Sequence, residues 1–239
     1  MTPDRTEATT TSAELDDPLW PRPAAIRRGP KPKFTVAQLA DAGMRIADTE
    51  GLGTVTMQRI ADDLGSTKMA LYRYVPGRAE LDAVMLDRAF GPPVPQADDD
   101  WHRALAAWAE GVHRRALAHP WSVELAQRPH RPGPCELAWY EAGLAAMAHL
   151  KLHGSEKLDV LALLAGHAMS IVRQESASEA PEQELAAAMA RILADRAADY
   201  PFTVAAFADA EGARGDALRF GVERIIAGVD ALAATRQQA

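Results

Sequence analysis

Several things are scarce in this 239-residue chain. It holds one cysteine, Cys135, which excludes an intrachain disulfide framework and leaves no Cys cluster for zinc. No apolar run approaches the ~18 residues that a spanning helix needs. Met1 to Asp17 is polar, acidic and Thr-rich, without the apolar stretch of a secretory signal, so a cytoplasmic, nucleoid-associated protein with no membrane partner is expected. No strand pattern of useful length and no internal repeat is visible. P-loop, GxSxG and GxGxxG signatures are absent, and Cys135 sits in an unremarkable Pro-Gly-Pro-Cys-Glu run, so no enzyme and no cofactor are expected. His113 and His149 have neither a carboxylate neighbour in sequence nor HxxxH spacing, so no metal site is expected. What is present is ordinary for a globular protein: 48% hydrophobic and 25% charged residues, with length for one large domain or a small one joined to a larger.

Charge is unevenly placed. The net charge of −7 divides into −4 over residues 1–21, +3 over 22–90 and −6 over 91–239. Arg22, Arg27, Arg28, Lys31 and Lys33 lie close together in a Pro-rich stretch. A run of this kind is usually a solvated arm; its functional reading is an arm that follows phosphates, releasing counterions as it does so. Residues 1–33 read as that arm.

From Thr35 a helical period begins, with Val36, Leu39, Ala40, Gly43, Ile46 and Ala47 at three- and four-residue steps, Thr35 as N-cap and Gly51 as stop. Short helices are predicted over Met57–Leu64, capped by Thr56, and Lys68–Tyr74, capped by Thr67, with Gly65-Ser66 as a tight break. Ala79–Phe90 is a fourth helix. Gly91-Pro92-Pro93-Val94-Pro95 is a composition break and the candidate boundary between two bundles. Beyond it helices are predicted over 99–118, 122–128, 134–150, 156–177, 182–198 and 214–234, with Pro181 and Pro201 among the breakers. The fold class is therefore all-α.

Thr56 to Val75 carries the chemistry. Two short helices joined by a tight turn must cross steeply for the second to project into a groove. Ala61 is small where they touch, and Gly65 permits a left-handed backbone. Ile60, Leu64, Leu71 and Tyr74 form a miniature core, which leaves Lys68, Met69, Tyr72 and Arg73 outward. Such a face suits a DNA major groove. Lys and Arg bond guanine O6/N7 or phosphate, and Met69 or Ala70 can meet a thymine methyl. Tyr72 can donate to phosphate, and the free N–H groups at the helix starts near Thr56 and Thr67 add backbone contacts.

The run Thr56-Met57-Gln58-Arg59-Ile60-Ala61-Asp62-Asp63-Leu64-Gly65 followed by Met69-Ala70-Leu71-Tyr72 and Glu80-Leu81, in the pattern LGxxxMALYxxVxxxxEL, resembles the DNA-binding domain of TetR-family transcriptional repressors over roughly residues 34–90. The segment from Phe220 to Val229 resembles, less specifically, the tail of the tetracycline-repressor-type regulatory domain. The resemblance implies a three-helix DNA-binding domain over 34–90 and a helical regulatory and dimerisation domain over 91–239. It implies phosphate contacts for Thr56 and Tyr72, with Arg78 where a phosphate-binding lysine is frequent. Gln58, Lys68, Met69 and Arg73 take base-reading or groove-facing positions. Tyr74 stands where a His is common and suits packing better than reading. Ser66 departs from the usual Val of the turn.

Such units read DNA in pairs, roughly 34–36 Å apart on two half-sites, so a homodimer on a palindromic operator is expected. In the last helix Leu218, Gly221, Val222, Ile225 and Val229 are the expected dimer interface; whether 156–177 is core or interface stays open. The family resemblance also implies a pocket for a small hydrophobic or amphipathic effector, with Trp108, Trp139 and Met147 as walls and His167 and Arg173 orienting the ligand. A DNA-binding or protein-interaction factor with no ligand, its second bundle used only for dimerisation, is the alternative.

Overall fold

The computed structural model describes residues 17–20, 32–94, 100–178, 180–209 and 216–238. The basic run from Arg22 to Lys31, and Pro95 of the composition break, lie outside the described residues. Every regular element among the described residues is helical. They are α1 (Val36–Glu50), a 3-10 turn (Leu52–Thr54), α2 (Met57–Asp63), α3 (Lys68–Leu71), α4 (Arg78–Phe90), α5 (Trp101–Ala118), α6 (Trp121–Ala126), α7 (Pro134–Ala146), α8 (Gly154–Ala177), α9 (Pro181–Leu193), α10 (Pro201–Asp209) and α11 (Ala217–Gln238). The chain divides into two compact units that meet between Met85 and Leu86, inside α4.

In the first unit, α1 begins with a capping box. The Thr35 hydroxyl accepts from Gln38 N–H at 3.1 Å, and the Gln38 side-chain oxygen accepts from Thr35 N–H at 2.9 Å. Its buried face is Leu39, Ala40, Ala42, Gly43, Ile46 and Ala47, which is the stripe of its sequence period with Ala42 added and Val36 only half-buried. Gly51, at φ +86°, ends the helix in a region closed to most side chains. Val55, Ile60, Leu71, Val75 and Leu81 are fully buried and close the small core.

In the second unit α5, α7, α8 and α11 enclose a core that includes Leu105, Trp108, Met147, Leu161, Leu164 and Val222. Several predicted boundaries differ from the sequence reading, and the helix expected over 134–150 ends at Ala146. The helix expected over 182–198 stops at Leu193, and α10 begins at Pro201, read from sequence as a breaker. Proline lacks an N–H that the first turn of a helix would leave unpaired anyway, so it starts a helix as readily as it ends one. The helix expected over 68–74 is four residues long, and its last turn tightens so that Tyr74 N–H donates to Leu71 O at 2.9 Å.

The interface residues expected in α11 are partly spent inside the protomer. Val222 and Val229 are buried in the core, so they have no area left for a second chain. A Cβ on Gly221 would come within 2.1 Å of His167 Nε2, so this glycine seats α11 against α8. Leu218 and Ile225 are half-buried against the same core. His113, with no carboxylate neighbour in sequence, has one in space: its Nε2 lies 2.8 Å from Glu175 on α8.

Candidate nucleic-acid interface and apolar chamber

The first unit presents a helical hairpin with a short second arm. The Thr56 hydroxyl caps α2 by accepting from Arg59 N–H at 3.0 Å, and the Thr67 hydroxyl caps α3 by accepting from Ala70 N–H at 3.3 Å. Between them Gly65 takes φ +56°, and Ser66 N–H donates to Ala61 O at 2.9 Å. Ala61 is fully buried at this junction, where a larger side chain would hold the helices apart. Ser66 therefore enters the turn through its backbone, which explains why its departure from Val leaves the turn intact.

With Ile60 and Leu71 buried, the rest of α3 faces outward. Lys68, Met69 and Arg73 are exposed, Met69 to 75%. An apolar side chain of that size held in water is available for contact. The Lys68 ammonium sits 5.8 Å above the half-buried Tyr72 ring, which orients it without neutralising it. Among the described residues neither Lys68 nor Arg73 has a carboxylate partner. This contrasts with Arg45, paired with Asp63 at 2.6 Å, and Arg59, paired with Glu50 at 2.6 Å. The hydrogen bond to Glu50 raises the Arg59 pKa above its ordinary value.

The other sequence-predicted residues divide. Thr56, Thr67 and Gln58 lie at exposed positions beside this face, although the Gln58 amide donates to Asp62 at 2.8 Å. Lys33 donates to Gly65 O at 3.3 Å, which brings the end of the basic arm to the turn. Tyr74 packs edge-on against Phe34 at 6.3 Å between ring centroids, and its hydroxyl accepts from Phe34 N–H at 3.4 Å. These contacts pack Tyr74 into the first unit. Arg78 is engaged within the first unit. Its guanidinium donates to Asp82 at 2.6 Å and to the carbonyls of Val55 and Leu52, tying the start of α4 to the segment before α2. A lysine there could not make this fork of bonds.

The second unit contains a chamber of about 270 Å³. Trp108, Trp139, Phe90 and Leu161 supply its apolar walls. The two tryptophans meet edge to face, 5.8 Å between centroids. Trp108 Nε1–H donates to Trp139 O at 2.8 Å and Trp139 Nε1–H to Gly91 O at 2.9 Å, so both buried indoles are satisfied and fixed. From α8 the chamber takes Ala162, Ala165, Gly166 and Met169, whose three- and four-residue spacing defines one face. His167 and Arg173 lie off that face. His167 donates toward Ala217 and Leu218 carbonyls at 3.1 and 3.2 Å, and Arg173 is exposed. Met147 is fully buried in the core. Of the five ligand residues expected from sequence, the chamber thus gathers Trp108 and Trp139 only.

Its polar lining was not legible. Asp87, His130, Glu136 and Tyr140 complete the wall. Asp87, in the last turn of α4, accepts from Cys135 N–H at 2.8 Å and Glu136 N–H at 3.1 Å, capping α7 from 48 residues away. The one available signal is an omission: Gly133-Pro134 opens α7 with no local capping side chain, so a distant acceptor must serve it. Gly133 is small because a Cβ there would sit 2.2 Å from Asp87 Oδ1. Burial and the neighbouring Asp87 push the Cys135 thiol up to about 11, which keeps it protonated and unreactive near neutrality.

A capped helical hairpin bearing exposed cations, followed by a helical bundle with a chamber, is the architecture of a two-unit transcriptional regulator. Residues 94–233 match the family model described as tetracyclin repressor-like, C-terminal domain. The chain is 30% identical over 233 residues to the HTH-type transcriptional repressor DrrR1 of Streptomyces coeruleorubidus, covering 92% of this chain and 86% of that protein. It is 29% identical over 230 residues to an HTH-type transcriptional regulator of Saccharopolyspora erythraea, covering 94% and 96%. Among solved structures, apo ActR of Streptomyces coelicolor has the same fold, with TM-score 0.73 at 23% identity over 87% of this chain and 99% of that one. ActR in complex with actinorhodin gives 0.69 at 24% identity, covering 84% and 97%. The chain belongs to the TetR family of transcriptional regulators.

Proposed function

We propose that the protein is a ligand-responsive repressor that binds a near-palindromic DNA operator as a homodimer and is released by a small molecule held in the chamber of its second unit. Residues 34–90 are the DNA-binding region and 91–239 the regulatory one. The observation that carries the reading is the exposed face of α3 and the turn after it. Lys68 on α3 and Arg73 just beyond it, neither with an acidic partner among the described residues, stand beside an exposed Met69, and the start of the helix and the turn before it are fixed by Thr67 and Gly65.

In this reading Lys68 is the principal base reader, with Arg73 and Met69 beside it and Gln58 at the edge of the face. Thr56, Tyr72 and the helix-start N–H groups near Thr67 hold phosphate, and Lys33 leads the arm along it. Dimerisation uses the outward faces of α8 and α11. Leu158, Leu163 and Phe220 are exposed there, Leu163 to 59% and Phe220 to 62%, and burying such side chains drives association. Leu218 and Ile225 border that surface.

Release has a physical route. α4 begins in the first unit and ends in the second, where Leu86, Asp87 and Phe90 of its last turns line the chamber. A ligand that touches them contacts the helix that continues into the reading unit. It works only by binding the released state more tightly; a preference of about 100-fold is worth about 2.7 kcal/mol.

The test is the base preference of Lys68→Ala on duplexes selected by the native protein. A cost of about 1–3 kcal/mol with relaxed preference at one base pair per half-site is expected. An unchanged profile removes Lys68 as a reader.

A further inference from the structure

Resting on the reading of the chamber as the effector site, we infer that it selects a flat aromatic molecule carrying a positive charge, with the rings between Trp108, Trp139 and Phe90 and the cation at the end formed by Asp87 and Glu136. The apolar part of the claim follows from the walls, three aromatic rings and the aliphatic face of α8. The sign of the charge follows from what else is there. Among the described lining residues the ionisable side chains at neutral pH are Asp87, His130 and Glu136, with no Lys or Arg. Even with a proton on His130 the three sum to a negative charge.

The obvious competitor is an anion at the start of α7, where free N–H groups and the helix dipole favour negative charge. That place is taken. Asp87 is 92% buried and its Oδ1 already accepts from Cys135 and Glu136 N–H, so the N-terminus is neutralised from within and an incoming anion meets two carboxylates. Glu136 spends Oε2 on His130 at 3.0 Å, and among the described residues no donor reaches its Oε1. A ligand ammonium can supply that donor and lie against an aromatic face at the same time, the pairing that a desolvated cation needs. Tyr140 of α7 and Ala162 and Gly166 of α8 are exposed lining residues.

The experiment uses one ring system with three head groups on the full chain at neutral pH: 1-naphthylmethylamine, 1-naphthylmethanol and 1-naphthylacetate, measured by titration calorimetry. The amine is expected to bind about tenfold or more tighter than the alcohol, and the acetate most weakly. In Glu136→Gln the advantage of amine over alcohol shrinks to within about twofold; this ratio, not the absolute affinity, is the readout. Should that variant fail to fold, Asp87→Asn, which retains an oxygen acceptor for the two N–H groups, supplies the same ratio. Equal binding of amine and alcohol, tighter binding of the acetate, or an advantage that survives both substitutions overturns the inference while leaving an aromatic-binding chamber in place. Binding of none of the three at millimolar concentration contradicts the chamber as a ligand site as well.

Discussion

The two units assemble their working surfaces in opposite ways. In the first, the face proposed to meet DNA comes from about twenty consecutive residues, and each shaping device is local: a Thr cap, a left-handed Gly, a small Ala at the crossing. In the second, the chamber draws on Leu86 at one extreme and Met169 at the other, and its polar end depends on Asp87 capping a helix 48 residues later. A local device leaves a motif that can be read from sequence. A distributed one leaves only scattered aromatic residues whose bland and functional readings look alike.

Trp139→Ala sharpens this contrast most. Trp139 is 7% exposed, touches Trp108 and donates to Gly91 O, so its loss is expected to cost about 3–5 kcal/mol of stability. Thermal unfolding checks this, and a loss below 1 kcal/mol would mean that the chamber wall is not a structural element. Next in size is Leu71→Ala, about 2–5 kcal/mol from a fully buried site in the first unit. DNA binding should fall while binding of an aromatic probe in the chamber persists. Loss of both together would break the division between the units.

Thr67→Ala is expected to cost about 1 kcal/mol through the lost cap on α3, seen in unfolding and as a matching drop in DNA affinity. The smallest effect is on the slope in the acid range. Glu156 is held below its ordinary pKa chiefly by the hydrogen bond from Arg236, and also by His153 N–H at 2.7 Å. A lowered folded-state pKa gives stability that is present above the unfolded value and lost as pH falls through the folded one. Arg236→Ala should therefore lower stability slightly in the neutral range, leave it unchanged once Glu156 is protonated, and so make the decline on acidification shallower. An identical acid slope would show that the pair does not act.

How much was legible follows the same division. Thr35, Gly51, Thr56, Gly65 and Thr67 were read correctly as stops and caps because each acts within four residues of itself. Lys68, Met69 and Arg73 were placed outward because Ile60 and Leu71 had to be inward. The bonds of Arg78 are not legible because its partners, the carbonyls of Val55 and Leu52, lie in and just after a 3-10 turn whose path the sequence does not specify. His167 was assigned to the ligand because a histidine on an apolar helix invites it. One residue of helical rotation beyond Gly166 points it instead at the carbonyls of α11. Val222 and Val229 were offered to a partner because an apolar stripe looks the same whether it covers its own core or another chain. Leu158, Leu163 and Phe220 are the apolar side chains left exposed on α8 and α11 that the proposed interface would cover.

The central claim is that the face of α3 reads duplex DNA, twice in a symmetric particle. Selection from a random pool of double-stranded oligonucleotides by the full chain at modest ionic strength tests it most directly. Recovery of a near-palindrome, bound by two copies of the chain and lost from Lys68→Ala, is the expected result. Failure to retain any duplex would contradict the claim.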